Sequence, residues 1–223
     1  MSRIDPADVS LIVIAKEPLP GKAKTRLIPD LGEAGAAAVA AACLADTLWA
    51  VAETPAARRV LVLDGAPGDW LPEAGFEVIP QREGDLAARL AGAFEDSAAS
   101  PALLVGMDTP QINASLLAAS IAALCDEDTD AVLGPASDSG YWAIGLRESD
   151  PRVFDGVPMS EDATGELQRE RLRSLGLRWS ELEQLRDVDG VDDARAIAAV
   201  APWTRMAEAL HRVEREHERA VER

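Results

Sequence analysis

The sequence has 223 residues, 48% of them hydrophobic, with 39 acidic against 22 basic side chains and a formal charge of -17. Nucleic-acid backbones are bound by distributed cations, so this acidic balance argues against a nucleic-acid polymer as partner. A chain of this length can bury one sizeable core. Because we find neither a secretory leader nor an apolar span of about eighteen residues, we expect a cytoplasmic protein without a membrane partner.

Predicted strands and helices alternate along the chain. The apolar run at 11–15 indicates a buried strand, and a long alanine-rich helix is expected to begin near Glu33. Further extended segments are predicted at 58–64, 76–81, 101–108, 130–135, 141–146 and 177–182. Further helices are predicted near 85–98, 113–125, 164–175 and 192–200. This alternation is typical of an α/β protein whose mainly parallel central sheet is flanked by helices.

The C-terminal tail has the apolar spacing of a helix. Trp203, Met206, Leu210 and Val213 recur at intervals of three or four residues, which predicts one packing face. We therefore assign residues 1–202 to a single domain and residues 203–223 to a helix that packs on this domain or on a partner subunit. A homodimer is compatible with the second arrangement.

All three lysines of the chain lie within nine residues beside a Pro-Gly turn, whereas every other cation is an arginine. The turn follows the first predicted strand, so its cations are expected at the ligand-binding edge of the sheet. Lysine supplies a point charge, arginine binds two oxygens, and a threonine or backbone amides add neutral donors. The alternative is a solvated turn. The residues predicted to bind phosphate are Ala15, Lys16, Gly21, Lys22, Lys24, Thr25 and Arg26.

Two common phosphate-binding loops are excluded. A Walker A loop needs glycine where this chain has Lys16, and Ser or Thr where it has Ala23. No GxGxxG follows the first strand either. The loop is therefore of another kind.

Two aspartates are candidate metal ligands. Asp108 follows an apolar strand and precedes a proline, and Asp189 lies much later, in front of a predicted helix. Carboxylate oxygens suit Mg²⁺ or Mn²⁺, which crowded phosphates require. Each aspartate could instead be an ordinary turn or cap residue.

Two further loops are predicted at the ligand edge. Gln81 can pair with a nucleobase, and Gly84 and Asp85 are predicted to bind the nucleotide with it. Asp85 is equally suited to cap a helix. The segment at 138–142 joins two apolar runs and can place backbone amides and an aromatic ring beside a ligand. Packing on a strand is the alternative for Tyr141 and Trp142.

These motifs occur in an order that resembles a known family. The segments IVIAKEPLPGKAKTRL, PQREGDL, LLVGMDTPQ, LGPASDSGYWAIGL, GVPMSEDATG and LRDVDGVDDA look like those of bacterial DUF2064 proteins, over roughly residues 10 to 200. That family is described as GT-A-type glycosyltransferases, some in arsenosugar biosynthesis. More distantly, the chain is similar to nucleotidyltransferases of molybdenum-cofactor and deazaflavin-cofactor assembly. The resemblance implies a Rossmann-like GT-A fold, the nucleotide-diphospho-sugar transferase fold.

The resemblance also implies roles for individual residues. Lys22, Lys24 and Arg26 would hold the donor's phosphates, and Gln81 would lie near the base. Asp108 and Asp189 would bind Mg²⁺ or Mn²⁺. The residues expected to act in catalysis are Lys22, Arg26, Asp108 and Asp162, the last as an acceptor-side base or else as a helix N-terminal acid.

The acceptor and sugar would contact the segment formed by Asp138, Ser139, Gly140 and Tyr141. Here the chain departs from the family, which usually has Asp-Gly-Gly-Tyr. If the first glycine is needed for a positive φ or for close approach of a sugar, Ser139 would narrow the pocket or change its substrate.

The sequence thus predicts a metal-dependent transferase that uses a nucleotide donor, with glycosyl transfer from a nucleotide-sugar to a small acceptor as the first hypothesis. Nucleotidyl transfer from a nucleoside triphosphate to a phosphorylated acceptor needs the same cations and is the second. A non-catalytic nucleotide-binding or partner-binding protein is the third.

Overall fold

A computed structural model describes residues 4–73, 75–159, 161 and 163–221 of the chain. Within them, seven strands form one sheet in the order β3-β2-β1-β4-β6-β5-β7. The strands are β1 (Ser10–Lys16), β2 (Arg59–Asp64), β3 (Glu77–Pro80), β4 (Ala102–Gly106), β5 (Ala131–Pro135), β6 (Tyr141–Leu146) and β7 (Trp179–Glu181). The helices are α1 (Ile28–Glu53), α2 (Leu86–Ser97), α3 (Ala114–Leu124), α4 (Thr164–Ser174), α5 (Val191–Val200) and α6 (Arg205–Val221). Short 3-10 helices cover Pro6–Asp8, Thr25–Leu27 and Pro151–Phe154.

The sheet is mainly parallel, as the alternation of elements predicts. Strands β3, β2, β1 and β4 run in one direction, and β6 alone is antiparallel to its neighbours β4 and β5. The carboxyl ends of β3, β2, β1, β4 and β5 therefore meet the start of β6 at one edge. Because β1 lies between β2 and β4, the strand order reverses there, which is where open α/β sheets bind ligands.

Both faces of the sheet are covered, so its strands are almost continuously apolar. Leu11 and Val13 of β1 pack with α1 and α3 on one face. Ile12, between them, packs on the other face with α2 and with Phe154 of the third 3-10 helix. This alternation buries β1 from Ser10 to Val13 and leaves Lys16, its last residue, exposed at the ligand edge.

A backbone break divides α1 near its start. Gly32 has φ 69 and ψ 167, so the continuous helix begins at Glu33, where the sequence predicts it. Only glycine adopts this conformation readily. The loop before the break carries Lys22 and Lys24, and Lys16 is the last residue of β1.

The C-terminal helix α6 packs on α1 and α5. Met206, Leu210 and Val213 are buried in that contact, as their spacing predicts. Gly35 of α1 permits it, because a Cβ atom there would lie 2.6 Å from Cγ1 of Val213. The prediction is wrong for Trp203, which is 73% exposed, since it precedes the helix and lies outside the packed face.

Among the residues that the structure describes, one helical segment is apolar enough and long enough to cross a membrane, by length and composition. The expectation that no such span exists is therefore wrong by composition, because Thr25–Glu53 contains an apolar window of 18 residues. In the fold, 67% of its apolar window is buried. The composition of α1 is that of a core helix.

Candidate functional site

A cleft of about 780 Å³ lies along the ligand edge of the sheet. It brings together residues that are far apart in sequence but that the motifs single out. The predicted site residues that line it are Ala15, Lys16, Lys22, Lys24, Arg26, Gln81, Gly84, Asp85, Asp108, Asp138, Gly140, Tyr141 and Asp189. Their roles in binding or catalysis remain predictions, but their convergence on one cleft is a property of the fold.

Some predicted residues do not line this cleft. Thr25 starts the 3-10 helix that leads into α1, and Gly21 adopts φ 73 in the turn, so both shape the loop. Ser139 lines a separate pocket. Asp162, expected as an acceptor-side base, lies outside the described residues.

Lys24 is the one lysine that is buried beneath the cleft. Its side chain is 8% exposed, and Nζ lies 2.8 Å from Oδ1 of Asp108. Nζ also donates to the carbonyl oxygen of Val188. Burial opposes the charged form of Lys24, but the Asp108 carboxylate outweighs it and raises the pKa of the ammonium. Two of its three N–H donors thus have partners among the described residues, which leaves one that could bind a ligand oxygen.

The other loop cations are more accessible. Lys16 and Lys22 are exposed at the cleft. The guanidinium of Arg26 donates from Nη1 to Oδ2 of Asp189 at 3.0 Å. Because an exposed ion pair of this kind is worth about 0–1 kcal/mol, an arriving phosphate can compete for Arg26 at little cost.

Asp187 is a candidate metal ligand that was not predicted from the sequence. Asp187 lines the cleft, and its Oδ1 is buried without a hydrogen-bond partner among the described residues. Burial, with repulsion from Asp138 and Asp108, raises the pKa of Asp187 to about 7. The signal was present in the pattern Asp-Val-Asp, since an extended segment points its first and third side chains the same way.

This geometry makes Asp187 a second candidate to pair with Asp108, and the predicted pairing of Asp108 with Asp189 stays a prediction. Arg26 occupies Asp189, whereas Asp187 keeps an unsatisfied oxygen. A backbone bond from Val188 N to Asp108 O, 2.9 Å long, holds the late segment beside the end of β4. The described residues contain no group of three or more His, Cys, Asp or Glu side chains placed to hold a metal. Two carboxylates nevertheless suit Mg²⁺ when a substrate's phosphates complete its coordination.

The β3 end of the cleft is organised by Gln81 and Arg89. Gln81 Nε2 donates to the carbonyl oxygen of Ala15 at 3.3 Å, and its Oε1 accepts from Arg89 Nη1 at 3.1 Å. Its amide is therefore used within the protein, and its role at a base stays a prediction. Asp85 accepts from Ala88 N at 2.9 Å, so it caps α2.

The β6 end has a different character. Asp138 accepts a bond from Gly140 N at 2.9 Å, which closes the turn before β6. The hydroxyl of Tyr141 donates to Gln168 at 3.2 Å, and burial raises the pKa of Tyr141 far above its usual value. Glu161 adds an exposed carboxylate. The described residues that line this end include no lysine or arginine.

Ser139 has a left-handed backbone, with φ 74. This agrees with the idea that the position favours glycine. The expectation that its side chain narrows the substrate cleft is wrong, however, because Ser139 lines a neighbouring pocket of about 300 Å³ with Arg169 and Gln184. The serine strains the backbone of the turn, but its side chain does not line the main cleft.

We therefore expect Ser139→Gly to stabilise the protein by about 0.5–1 kcal/mol, since a side chain in this conformation costs roughly 1–2 kcal/mol and glycine's greater unfolded-state freedom offsets part of it. Denaturant unfolding measures the change. Ser139→Ala is the matched control, because it removes the hydroxyl and keeps the strain. A Ser139→Gly variant that is less stable than Ser139→Ala would show that the turn is unstrained, because only the entropy cost of glycine would then remain.

Comparisons with known proteins agree with this architecture. A crystal structure from Desulfovibrio desulfuricans G20, provisionally named a nucleotide-diphospho-sugar transferase, is 26% identical, with 94% of this chain and 97% of that chain covered at a TM-score of 0.81. A cytidylyltransferase from Leptospira borgpetersenii shares 11% identity, with 95% of both chains covered and a TM-score of 0.60. A CMP:2-keto-3-deoxy-manno-octonic acid synthetase complexed with CTP also shares 11%, with 87% and 99% covered and a TM-score of 0.58. The last two show the fold alone.

The comparison with curated proteins gives no match. The family of uncharacterized proteins conserved in bacteria, DUF2064, matches residues 47–161, which include α2, β4 and the start of β6. The match covers the Asp108 segment and the turn at Asp138, and the cation loop lies before it. The chain therefore belongs to the DUF2064 family.

Proposed function

We propose that the chain is a transferase that uses a nucleotide donor together with Mg²⁺ or Mn²⁺. The observation that carries this proposal is the opposition of charges in one cleft: the cations of the β1 loop face the carboxylates that follow β4 and precede α5. This arrangement lies where the strand order reverses, the usual ligand position in such sheets.

The phosphates of the donor would lie against the β1 loop. Lys16 and Lys22 are exposed there, and Arg26 can exchange its surface ion pair for a phosphate. Lys24 keeps a fixed positive charge below them, held by Asp108. Fixed cations of this kind stabilise the negative charge that grows on a departing diphosphate, because they need no rearrangement when the bond breaks.

Asp108 and Asp187 would hold the metal. When bound, the ion supplies Lewis-acid stabilisation of phosphate oxygens. The protein's own contribution is to place one carboxylate at a strand end and the other in a segment tied to that end by backbone hydrogen bonding. Asp138 adds negative charge nearby.

The β6 end favours glycosyl transfer over transfer to a phosphorylated acceptor. Asp138 and Glu161 give this end a negative lining, and the described lining residues there include no cation. Arg169, in the neighbouring pocket, is bound to Glu181 at 2.8 Å. A phosphorylated acceptor would meet repulsion here, whereas a neutral sugar and a neutral acceptor would not.

The acceptor must lose a proton during transfer. The sequence-based prediction assigns this step to Asp162, and its neighbour Glu161 lines the cleft with an exposed carboxylate. Glu161 would take the proton from an acceptor hydroxyl that lies beyond the donor's phosphates, at the β6 end, and the role of Asp162 stays a sequence-based prediction.

The related structure at 26% identity adds weight, because its name is that of a nucleotide-diphospho-sugar transferase. Nucleotidyl transfer from a triphosphate remains the second candidate, since the same cations and carboxylates would serve it. Non-catalytic nucleotide binding is the third. We keep as predictions a single domain at 1–202 with a packing helix at 203–223, a homodimer and a cytoplasmic location.

Product analysis distinguishes these functions. Purified protein with Mn²⁺ is incubated with panels of nucleotide-sugars, nucleoside triphosphates and small acceptors, and the released nucleotide is identified by mass spectrometry. We expect a nucleoside diphosphate from a nucleotide-sugar, because the bond that breaks lies at the sugar carbon. Acceptor-dependent pyrophosphate from a triphosphate, with no turnover of nucleotide-sugars, would establish the second candidate instead. Binding without turnover of either donor would support the third.

A further inference from the structure

We infer that Arg89 reads the base of the donor nucleotide and selects against adenine. The inference rests on the proposed function, because it concerns the nucleotide that the cleft would bind. Arg89 lies in the first turns of α2, directly after the β3 strand, and it lines the β3 end of the cleft. No sequence motif pointed to it, although its distance of four residues from the cap Asp85 places it on the same side of the helix.

The order of strands places the base at this end. With the phosphates on the β1 loop, the nucleoside can extend toward β3 or toward β6. The β6 end carries two carboxylates, Asp138 and Glu161, and no cation among its described residues. At the β3 end the cation Arg89 and the apolar Leu86 accompany Asp85. Leu86 lines the cleft there and is 40% exposed, so it can pack against the flat face of a base.

Arg89 is held in place by the protein. Its Nε donates to the carbonyl oxygen of Gly84 at 2.9 Å, and its Nη1 donates to Oε1 of Gln81 at 3.1 Å. Gln81 is anchored in turn on the carbonyl oxygen of Ala15. These bonds fix the plane of the guanidinium before any ligand arrives, which lowers the entropy cost of binding.

The rest of the guanidinium remains available. Nη1 also lies 3.5 Å from Oδ2 of Asp64, whereas Nη2 makes no hydrogen bond to any of the residues that the structure describes, and the side chain is 25% exposed. A guanidinium has donors only. It therefore needs a partner that presents acceptors, and it repels a partner that presents an amino group.

The bases differ in this respect. Guanine presents O6 and N7 together on one edge, and uracil and cytosine present carbonyl oxygens, whereas adenine places its N6 amino group beside N7. The fixed donors of Arg89 thus suit a base with a carbonyl oxygen and suit adenine poorly. The discrimination expected from such a pair is about tenfold to a hundredfold in affinity.

The test is calorimetric binding of ADP, GDP, UDP and CDP, each with Mn²⁺, to the wild-type protein and to variants. We expect ADP to bind at least about tenfold more weakly than the best of the other three. In Arg89→Met and in Arg89→Lys this gap should fall to less than about threefold, because lysine keeps the charge but lacks the fork. Thermal unfolding without ligand shows whether each variant is folded.

Arg82→Met is the matched control. Arg82 lies in the loop that leads into α2, has the same charge as Arg89 and binds Asp96 and Glu95 of α2. We expect it to keep the wild-type order of nucleotides. The inference is overturned if ADP binds best, if the gap survives in Arg89→Met, or if that variant weakens all four nucleotides equally, as a phosphate contact would. Failure of every nucleotide to bind wild type would overturn the proposed function as well.

Discussion

Asp108→Asn is expected to lower metal-dependent transfer by at least about a hundredfold to a thousandfold. Asparagine keeps the shape of the side chain but removes the charge that holds Lys24 and that would bind the metal. Release of nucleoside diphosphate at saturating Mn²⁺ measures the loss. Thermal unfolding is recorded in parallel, because Lys24 is almost buried and loses its ion-pair partner.

Asp130→Asn provides the control for this substitution. Asp130 precedes β5 at the opposite edge of the sheet and pairs with Arg178 at 3.0 Å, so the change also breaks a carboxylate–cation pair. We expect it to retain wild-type transfer. Activity of Asp108→Asn within about threefold of wild type, or an unchanged response to Mn²⁺, would exclude Asp108 from the metal site.

The stability of the metal-free protein is expected to fall as pH rises from about 4 to 7, because of Asp187. Burial holds the pKa of this carboxyl near 7 in the folded chain, whereas in the unfolded chain it titrates near its ordinary value of 3.8. Between these two pKa values Asp187 is protonated in the folded chain and ionised in the unfolded chain. Its contribution to stability is therefore complete below the lower value and is lost as the pH rises to the upper one. One such group contributes at most about 1.4 kcal/mol per pH unit.

Unfolding in urea with EDTA, measured at several pH values, tests this expectation. Asp187→Asn should remove this component of the slope and should be more stable than wild type at pH 8, because it no longer buries a charge. Metal binding should strengthen as pH rises toward 7, since the ligand must lose its proton. Parallel pH profiles for the variant and wild type would show that Asp187 is already ionised in the folded protein at low pH.

Much of the fold could be predicted from sequence because it depends on local patterns. The apolar run of β1 and the helical spacing of Met206, Leu210 and Val213 are direct consequences of burial. Trp203 was wrongly assigned to the packed face of α6, because the spacing of apolar residues does not show where a helix begins. The antiparallel direction of β6 was not predictable either, since strand direction depends on how the chain returns to the sheet.

The site was predictable where chemistry and strand ends coincide. Asp108 and the three lysines stand out by residue type and position, and all of them line the cleft. The sequence could not show which of several neighbouring side chains pair with each other by hydrogen bonds or ion pairs. Arg26 pairs with Asp189, whereas Oδ1 of Asp187 has no hydrogen-bond partner among the described residues. The amide oxygen of Gln81 accepts a hydrogen bond from Arg89. Such choices depend on distances across the sheet edge, which adjacent motifs do not encode.

Binding of a nucleoside diphosphate by the cleft, with and without metal, is the decisive measurement. The nucleotide that gives the largest thermal shift is titrated calorimetrically into wild-type protein in Mn²⁺ and then in EDTA. We expect binding in Mn²⁺ to be at least about tenfold tighter than in EDTA, with that difference lost in Asp108→Asn, because carboxylates and phosphates share the ion. No binding of any nucleoside diphosphate, or equal affinity in Mn²⁺ and EDTA, would contradict a metal-dependent nucleotide site in this cleft.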